Sequence, residues 1–368
     1  FTTADDVQTV LARGRSKCSV RLESGIQVDL RLVDPSCFGA ALLYFTGSKA
    51  HNVVLRERAV KRGQRLNEYG LFEDDGSEAP PQERGVEPIA AETEASIYAA
   101  LDLPWLPPEL REDAGEFERS EDAPLVEVSD IRAELHAHTL ASDGTLTIEE
   151  LAKEAKSRGM HTIAVTDHSR SSVQANGLSV DRLRAHIEAV RDADAAIDGI
   201  RILAGSEVDI HANGELDYED DLLADLDLVV ASPHAALNQD RKKSTARLLA
   251  AVRHPLVHIL GHPTGRLINR RAGLDPDMHR VIEAAVEHDT ALEVNANPRR
   301  LDLRDHHVRA VVEAGGRIAI NTDAHRREDF DFLRYGVLTA RRGWLEPAGC
   351  LNTWPADQLY GWLQEKRS

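Results

Sequence analysis

Residues 134–144 read ELHAHTLASDG, two histidines two apart with an aspartate five residues further on. Side chains alternate along a strand, so His136 and His138 would share one face. Two imidazoles backed by the carboxylate of Asp143 could grip a metal ion. Two ordinary histidines on a solvated face would give the same string, so the rest of the chain has to decide.

Related residues recur wherever a later apolar segment ends. TIAVTDH (162–168) closes on Asp167 and His168, and IRILAGSEV (200–208) holds Glu207. LDLVVAS (226–232) is followed by His234, and VHILGH (257–262) closes on His262. ALEVN (291–295) continues the series, and RIAINTD (317–323) ends at Asp323, just before His325. Counting ELHAH, that makes seven probable strands. Most gaps hold helix-like segments such as TIEELAKEAKSRG, with a threonine cap before Glu150 and a glycine stop. This alternation predicts an α/β fold, a parallel barrel built of βα units. In such barrels the active site lies at the carboxyl ends of the strands, and six of the seven would deliver a His, Asp or Glu there.

A ring of mixed imidazoles and carboxylates is metal-site chemistry. Nitrogen and oxygen donors without cysteine suit Zn²⁺, Mn²⁺ or Fe²⁺ better than Ca²⁺ or Mg²⁺. Nine candidate ligands exceed the needs of one tetrahedral ion, so two or three ions sharing Glu207 are expected. Ions roughly 3.5–4 Å apart can activate water and clamp both oxygens of a phosphoryl displacement. Cations must then hold the phosphate, and Arg241, Lys242, Arg266, Arg270, Arg271, Arg299 and Arg300 lie in loops after the rim strands. A lone loop arginine is more often solvated than functional. Arg299 and Arg300, directly after EVNANP, are the best placed. For Asp167 the expected role is to orient His168.

The 368 residues are long for one domain and comfortable for two. Cys18, Cys37 and Cys350 are scattered and odd in number, which argues against a disulfide scaffold and fits a reducing cytoplasm. No apolar run approaches the roughly 20 residues of a membrane span, and the start carries no signal-peptide pattern. Beginning on Phe1 suggests a fragment of a longer protein. The net charge of −18 would discourage nucleic-acid binding, but it is uneven. Residues 1–72 carry +4 (11 basic, 7 acidic) and residues 73–122 carry −13 (3 basic, 16 acidic), leaving −9 for the remainder. The acidic, proline-bearing middle reads as a linker, with a domain boundary near residue 122. It includes one short helix over AETEASIYAALDL, ended before Pro104. Upstream, GIQVDLRLV reads as a strand, HNVVLRERAVKRGQRL as a basic helix, and YFTGS as a turn through Gly47.

The set HAH, SDG, TDH, Glu207, SPH, GHP and NTDAH resembles the polymerase-and-histidinol-phosphatase (PHP) family of metal-dependent phosphoesterases, over residues 130–368. NGLS, GHPTGRL, EVNANPRRLDL, RYGVLTARRGWLEP and LNTWP resemble the PHP domain of bacterial family X DNA polymerases. VDLRLV, ALLYFTGSKAHN, LNEYGLF and LPWLPPELRE are similar to the palm end and thumb of the same polymerases. The resemblance implies a distorted (β/α)7 TIM-like barrel over 123–368, preceded by a small α+β palm-and-thumb fragment over 1–122. It implies three metal sites holding Mn²⁺ or Zn²⁺: His136, His138, Glu207 and Asp323; Glu207, His234 and His262; Asp143, His168 and His325. No ligand position is lost.

In the first part the resemblance matches Asp29 to a metal-binding carboxylate of the polymerase. Tyr44, Phe45, Gly47 and Asn52 match the segment that packs on the incoming dNTP. The Asp-x-Asp pair that would complete a site for Mg²⁺ or Mn²⁺ is absent, so this chain is not expected to polymerise by itself. The implied function is a 3′–5′ exonuclease or 3′-end-processing phosphodiesterase acting on DNA. A phosphomonoesterase of the histidinol-phosphatase type and a non-catalytic barrel supporting the polymerase are the rivals.

Overall fold

In a computed structural model, which describes residues 1–120 and 123–366, the chain divides into two compact units, Phe1–Glu121 and Asp122–Ser368. Residue 122, near which the sequence places a domain boundary, lies outside the described residues.

The first unit opens with an antiparallel meander of β1 (Val7–Arg13), β2 (Lys17–Leu22) and β3 (Gln27–Arg31). Only β3 was read as a strand from sequence; β1 is almost wholly exposed and lacks the apolar alternation that marks a buried face. Next come α1 (Phe38–Thr46) and α2 (Lys49–Lys61), the latter capped by the Ser48 hydroxyl. The YFT of the expected turn is therefore the last turn of a helix, and the chain reverses at Gly47, whose φ is +68°. The basic helix also ends earlier than its pattern suggested. Gly63 adopts φ +70°, and the following QRLN forms β4 (Gln64–Asn67), paired with β5 (Gly70–Glu73). Finally α3 (Glu94–Ala100) is capped by Thr93 and contributes Ile97 and Tyr98 to a core with Leu43, Leu55 and Leu71.

The second unit alternates as expected. In chain order it contains β6 (Ala133–Ala137), α4 (Ile148–Ser157), β7 (Thr162–Val165), α5 (Val180–Ala196) and β8 (Arg201–Asp209). Then come α6 (Asp220–Ala224), β9 (Leu228–Ser232), α7 (Arg241–Val252), β10 (Ile259–Leu260) and α8 (Met278–Glu287). It finishes with β11 (Ala291–Asn295), α9 (Asp305–Glu313), β12 (Ile318–Asn321), α10 (Leu333–Arg342) and α11 (Ala356–Glu365). The seven strands lie parallel in sequential order, and a bridge from Ala137 to Ala324 joins the first to the last. The sheet is thereby a nearly closed seven-stranded barrel. Among the described residues no helix is long and apolar enough to cross a membrane.

Strand parity sorts the side chains. Ile202, Ala204, Val208, Val229, Ala231, Leu292, Val294, Ile318 and Ile320 pack outward against the helices. Ala133, Leu135, Ala164, Leu203, Leu228, Val230, Ile259, Ala291 and Ala319 fill one end of the lumen, sealed by Trp354, Leu359 and Trp362. The same inward parity then turns polar towards the carboxyl ends, giving Glu207, Glu293, Asn295, Asn321 and Asp323. In β6 the pairing register shifts between Glu134 and Ala137. This bulge lets Leu135 join the apolar floor while His136 and His138 both face the polar end.

Candidate metal centre

All nine candidate ligands lie together at the carboxyl end of the barrel. Glu207 is the hub. Its oxygens lie 3.3 Å from His136 Nε2, 3.6 Å from His138 Nε2, 2.9 Å from His168 Nδ1, 3.2 Å from His234 Nε2 and 2.8 Å from His262 Nε2. Asp323 Oδ1 stands 3.1 Å from His138 Nε2 and 3.6 Å from His136 Nε2. Asp143 Oδ1 lies 3.3 Å from His325 Nε2 and 3.5 Å from His168 Nε2.

Ligand atoms close enough to share an ion form three groups: His138, Asp143, His168 and His325; His136, His138 and Asp323; and His168, Glu207 and His234. His138 and His168 each stand in two groups, a sharing that the resemblance did not imply. His262 joins through its contact with Glu207.

The donor atoms fit metal ions better than they fit one another. Among the described residues, His136 Nε2, both nitrogens of His138, His168 Nδ1 and Glu207 Oε2 are buried without a hydrogen-bond partner. His168 Nδ1 and Glu207 Oε2 stay unbonded although 2.9 Å apart, because their relative orientation is not that of a hydrogen bond. Buried polar atoms are almost always satisfied, so a cluster of orphans converging on shared space is the geometry of a coordination shell. His262 and Asp323 also sit at positive φ (+23° and +54°), a conformation costly for residues with a Cβ and concentrated at functional sites.

Burial would raise the Glu207 carboxyl, but the imidazoles of His234, His136 and His168 outweigh it and hold it well below the usual range. Burial, with His325 and His168 alongside, pushes His138 down to about 4, leaving it neutral and ready to donate a lone pair.

Sequence reasoning missed the groups that hold the ligands. Glu293, from β11, accepts from His136 Nδ1 at 2.7 Å, from the His262 backbone at 2.7 Å and from Asn321 Nδ2 at 2.9 Å. Its signal was an acidic residue inside the otherwise apolar ALEVN. Asp209 accepts from His234 Nδ1 at 2.5 Å and from the hydroxyls of Ser171 and Ser172. It stands two residues after Glu207 and so on the same face. Both carboxylates fix which ring nitrogen faces the centre.

The role expected for Asp167 needs correction. It does not orient His168; it accepts from Thr139 and Ser142, through both backbone and hydroxyl, and from His186 Nε2 at 2.8 Å. Asp167 thus pins the loop that carries Asp143.

Of the rim arginines, Arg300 stands nearest the centre. Its Nε is 3.7 Å from Asp323 Oδ2, its side chain is 17% exposed, and its buried Nη1 has no hydrogen-bond partner among the described residues. Arg266 instead donates to the carbonyls of Arg300 and Leu301. Arg299 is exposed, and Arg241 lies 3.5 Å from Asp275 at the start of α7.

In the first unit Asp29 lies half-exposed on β3, 3.1 Å from Gln27 Nε2 and 3.5 Å from Lys17 Nζ. Tyr44 and Phe45 stack edge to face on the surface, with Arg31 over the Phe45 ring. Asn52 Nδ2 donates to the Tyr44 carbonyl at 2.9 Å across the Gly47 reversal.

Two family models match the chain: the DNA polymerase beta thumb over residues 41–112 and the PHP domain over residues 134–297. The DNA polymerase/3′–5′ exonuclease PolX of Bacillus subtilis (strain 168) is 42% identical over 352 residues, covering 94% of this chain and 60% of its own length. This chain therefore spans about three-fifths of that relative. The probable phosphatase YcdX of Escherichia coli O127:H6 is 32% identical over 203 residues, 52% of this chain and 78% of the relative. A solved histidinol phosphate phosphatase of Lactococcus lactis, complexed with zinc, L-histidinol and phosphate, is 17% identical with a TM-score of 0.43, covering 59% of this chain and 95% of the other.

Proposed function

This chain belongs to the PHP family, in the form carried by bacterial family X DNA polymerases, and we propose that its barrel is a divalent-metal-dependent phosphodiesterase that shortens DNA from the 3′ end. The observation that carries this reading is the set of buried, unpartnered nitrogen and oxygen atoms around Glu207. In this reading His136, His138, Glu207 and Asp323 hold one ion, Glu207, His234 and His262 a second, and Asp143, His168 and His325 a third. The all-nitrogen-and-oxygen donor set favours Mn²⁺ or Zn²⁺. When bound, such ions acidify water and neutralise charge on the phosphoryl oxygens.

The chain's own groups do the positioning. Glu293 and Asp209 keep the imidazoles of His136 and His234 turned inward, and Asp167 holds the Asp143 loop in place. Arg300, whose Nε lies 3.7 Å from Asp323 Oδ2, keeps a buried guanidinium nitrogen unpaired, and in this reading that nitrogen would bind a nonbridging oxygen of the scissile phosphate. Water's oxygen ends on phosphorus, the bond to the penultimate 3′ oxygen breaks, and that oxygen leaves as a hydroxyl.

In the whole protein, Asp29 would serve polymerisation with Mg²⁺ or Mn²⁺, and Tyr44, Phe45, Gly47 and Asn52 would receive the dNTP. Arg299, Arg266 and Arg241 would guide the DNA backbone, and a cytoplasmic location belongs to the same reading.

The test is incubation of the purified chain with Mn²⁺ and 5′-labelled single-stranded or gapped DNA, beside an Asp323→Ala, His325→Ala control. Laddering from the 3′ end that the control abolishes is the expected result. Stoichiometric metal without laddering overturns it, and release of inorganic phosphate from a small monoester alone would favour a phosphomonoesterase.

A further inference from the structure

Beside the metal centre, between the loops that follow β7, β8 and β9, lies a cavity of about 310 Å³. His168 and His234 form its inner wall, so a group seated in it lies directly against the proposed reaction centre. Its volume is near the lower end for small-molecule sites, which run from roughly 300 to 1,000 Å³, and suits one nucleoside rather than two. Resting on the phosphodiesterase reading, we infer that this cavity is the subsite for the 3′-terminal nucleoside of the DNA strand, with Gln174 as its base-contacting side chain.

The wall chemistry carries the assignment. Ala175, Ala212 and Ala235 bring small apolar surfaces from three different loops, the kind of surface against which a base packs. Gln174 adds an exposed amide that both donates and accepts, the combination needed to pair with the edge of a base. Asp209, also on the wall, is an ionised carboxylate and disfavours a bare anion there. Both of its oxygens are engaged, one by His234 and the other by Ser171 and Ser172. Arg271 brings a guanidinium to the wall, its Nε anchored on the Gly265 carbonyl. The lining thus combines hydrogen-bonding groups, small apolar faces, one guanidinium and one carboxylate whose oxygens are already engaged, which suits a nucleoside joined to a phosphate better than a bare anion.

The loop that carries Gln174 is built firmly onto the barrel. Ser169 and Leu178 pair as a β-bridge across its base. Asp217 accepts from the backbone of Ser171 and from Arg170 Nε, and Asp209 accepts from the two serine hydroxyls. Asp209 also holds His234, so the nucleoside wall and one proposed ligand share a single carboxylate anchor. This fixes the base relative to the phosphorus.

Two p-nitrophenyl phosphodiesters test the assignment with the metal-loaded chain. In the p-nitrophenyl ester of thymidine 5′-monophosphate, thymidine stands in for the terminal nucleoside. Methyl p-nitrophenyl phosphate has the same leaving group and no nucleoside. Each is cleaved by water at the aryl P–O bond, giving p-nitrophenol and the remaining monoester. The wild-type chain should favour the thymidine ester in kcat/KM. Gln174→Ala should lower that preference about tenfold, within the contribution of one paired side chain to base recognition. Ala212→Phe, which takes up cavity volume from another loop, should lower it as well, and turnover of the methyl ester reports that each variant is folded and loaded. Equal kcat/KM for the two esters in the wild-type chain, or a preference unchanged in both variants, would overturn the subsite. Hydrolysis of neither ester would instead sink the phosphodiesterase reading, and the subsite with it.

Discussion

Oε1 of Glu293 lies 2.7 Å from Nδ1 of His136, and both side chains are fully buried. The contact assigns the ring its tautomer, with Nδ1–H donated to the carboxylate and Nε2 turned towards Glu207 and Asp323. Glu293 also accepts the backbone N–H of His262, so one buried charge orients two proposed ligands from different strands. Glu293→Gln keeps a hydrogen-bonding group of the same size and removes the charge. Affinity for Mn²⁺ should fall by about 10- to 100-fold, the usual loss when a ligand's supporting carboxylate is changed. Titration calorimetry on the folded variant measures this, and wild-type affinity would show that Glu293 only fills space.

Metal removal should destabilise the barrel, because the orphaned donors around Glu207 would lose what they converge on. An ion that binds only the folded state stabilises it by about 2.7 kcal/mol when present at 100 times its Kd. Chelation by EDTA should therefore lower the barrel's Tm, and Mn²⁺ or Zn²⁺ should restore it. Asp323→Ala should abolish most of that response. Scanning calorimetry with and without chelator decides the point, and an unchanged Tm would mean that the cluster is stable without ions.

What could be read from sequence follows the range of the interactions. The seven barrel strands were legible because each is a short apolar run between helical patterns, and parity within a run is a local property. His136, Glu207 and Asp323 stood out as polar residues ending apolar segments. The supports of the ligands were not legible: Glu293 and His136 are 157 residues apart, and no spacing rule connects them. Asp167 was misassigned for a related reason. Its neighbour in sequence, His168, faces Glu207, while its partners Thr139, Ser142 and His186 come from other segments. In the first unit, β1 escaped notice because it is almost wholly exposed, and β2 because the two residues it buries, Ser19 and Val20, are neighbours rather than alternate positions. The early end of α2 required knowing that Gly63 takes a left-handed conformation.

Arg300 should matter to catalysis more than the other rim arginines. Its unpaired Nη1 is buried beside Asp323, whereas Arg266 is occupied by backbone carbonyls and Arg299 lies in solvent. Arg300→Ala should reduce kcat/KM on DNA by about 100-fold, in the range found for removal of a donor that stabilises developing charge. Arg299→Ala should cost far less. Metal binding, followed separately, should survive in both variants. If Arg300→Ala removes the metal as well, its role is to balance Asp323 rather than to bind phosphate.

The first unit should lose stability in mild acid through His51. Its Nδ1 lies 2.7 Å from Glu116 Oε1 and its Nε2 2.7 Å from the Tyr98 hydroxyl, all inside the core. This network suits the neutral ring: Nδ1–H donates to the carboxylate and Nε2 accepts from the tyrosine. Burial depresses the His51 pKa below its ordinary 6.5 despite the attraction of Glu116. Glu116, whose burial is outweighed by hydrogen bonds from His51 and from the backbone of Asp113 and Ala114, also titrates below its ordinary value. Both folded pKa values are depressed, so the unfolded chain takes up protons first as pH falls. The stability is fully present above about 6.5, the unfolded histidine value, and is lost progressively below it, with Glu116 adding to the loss beneath about 4.5. Amide-exchange protection across α2, corrected for the intrinsic rate at each pH, should fall between pH 7.5 and 5.5, while the barrel strands provide an internal reference. His51→Gln should flatten that dependence at the cost of lower stability at neutral pH. Undiminished protection of α2 at pH 5.5 would mean that the ring is already protonated in the native core and paired with Glu116 as an ion.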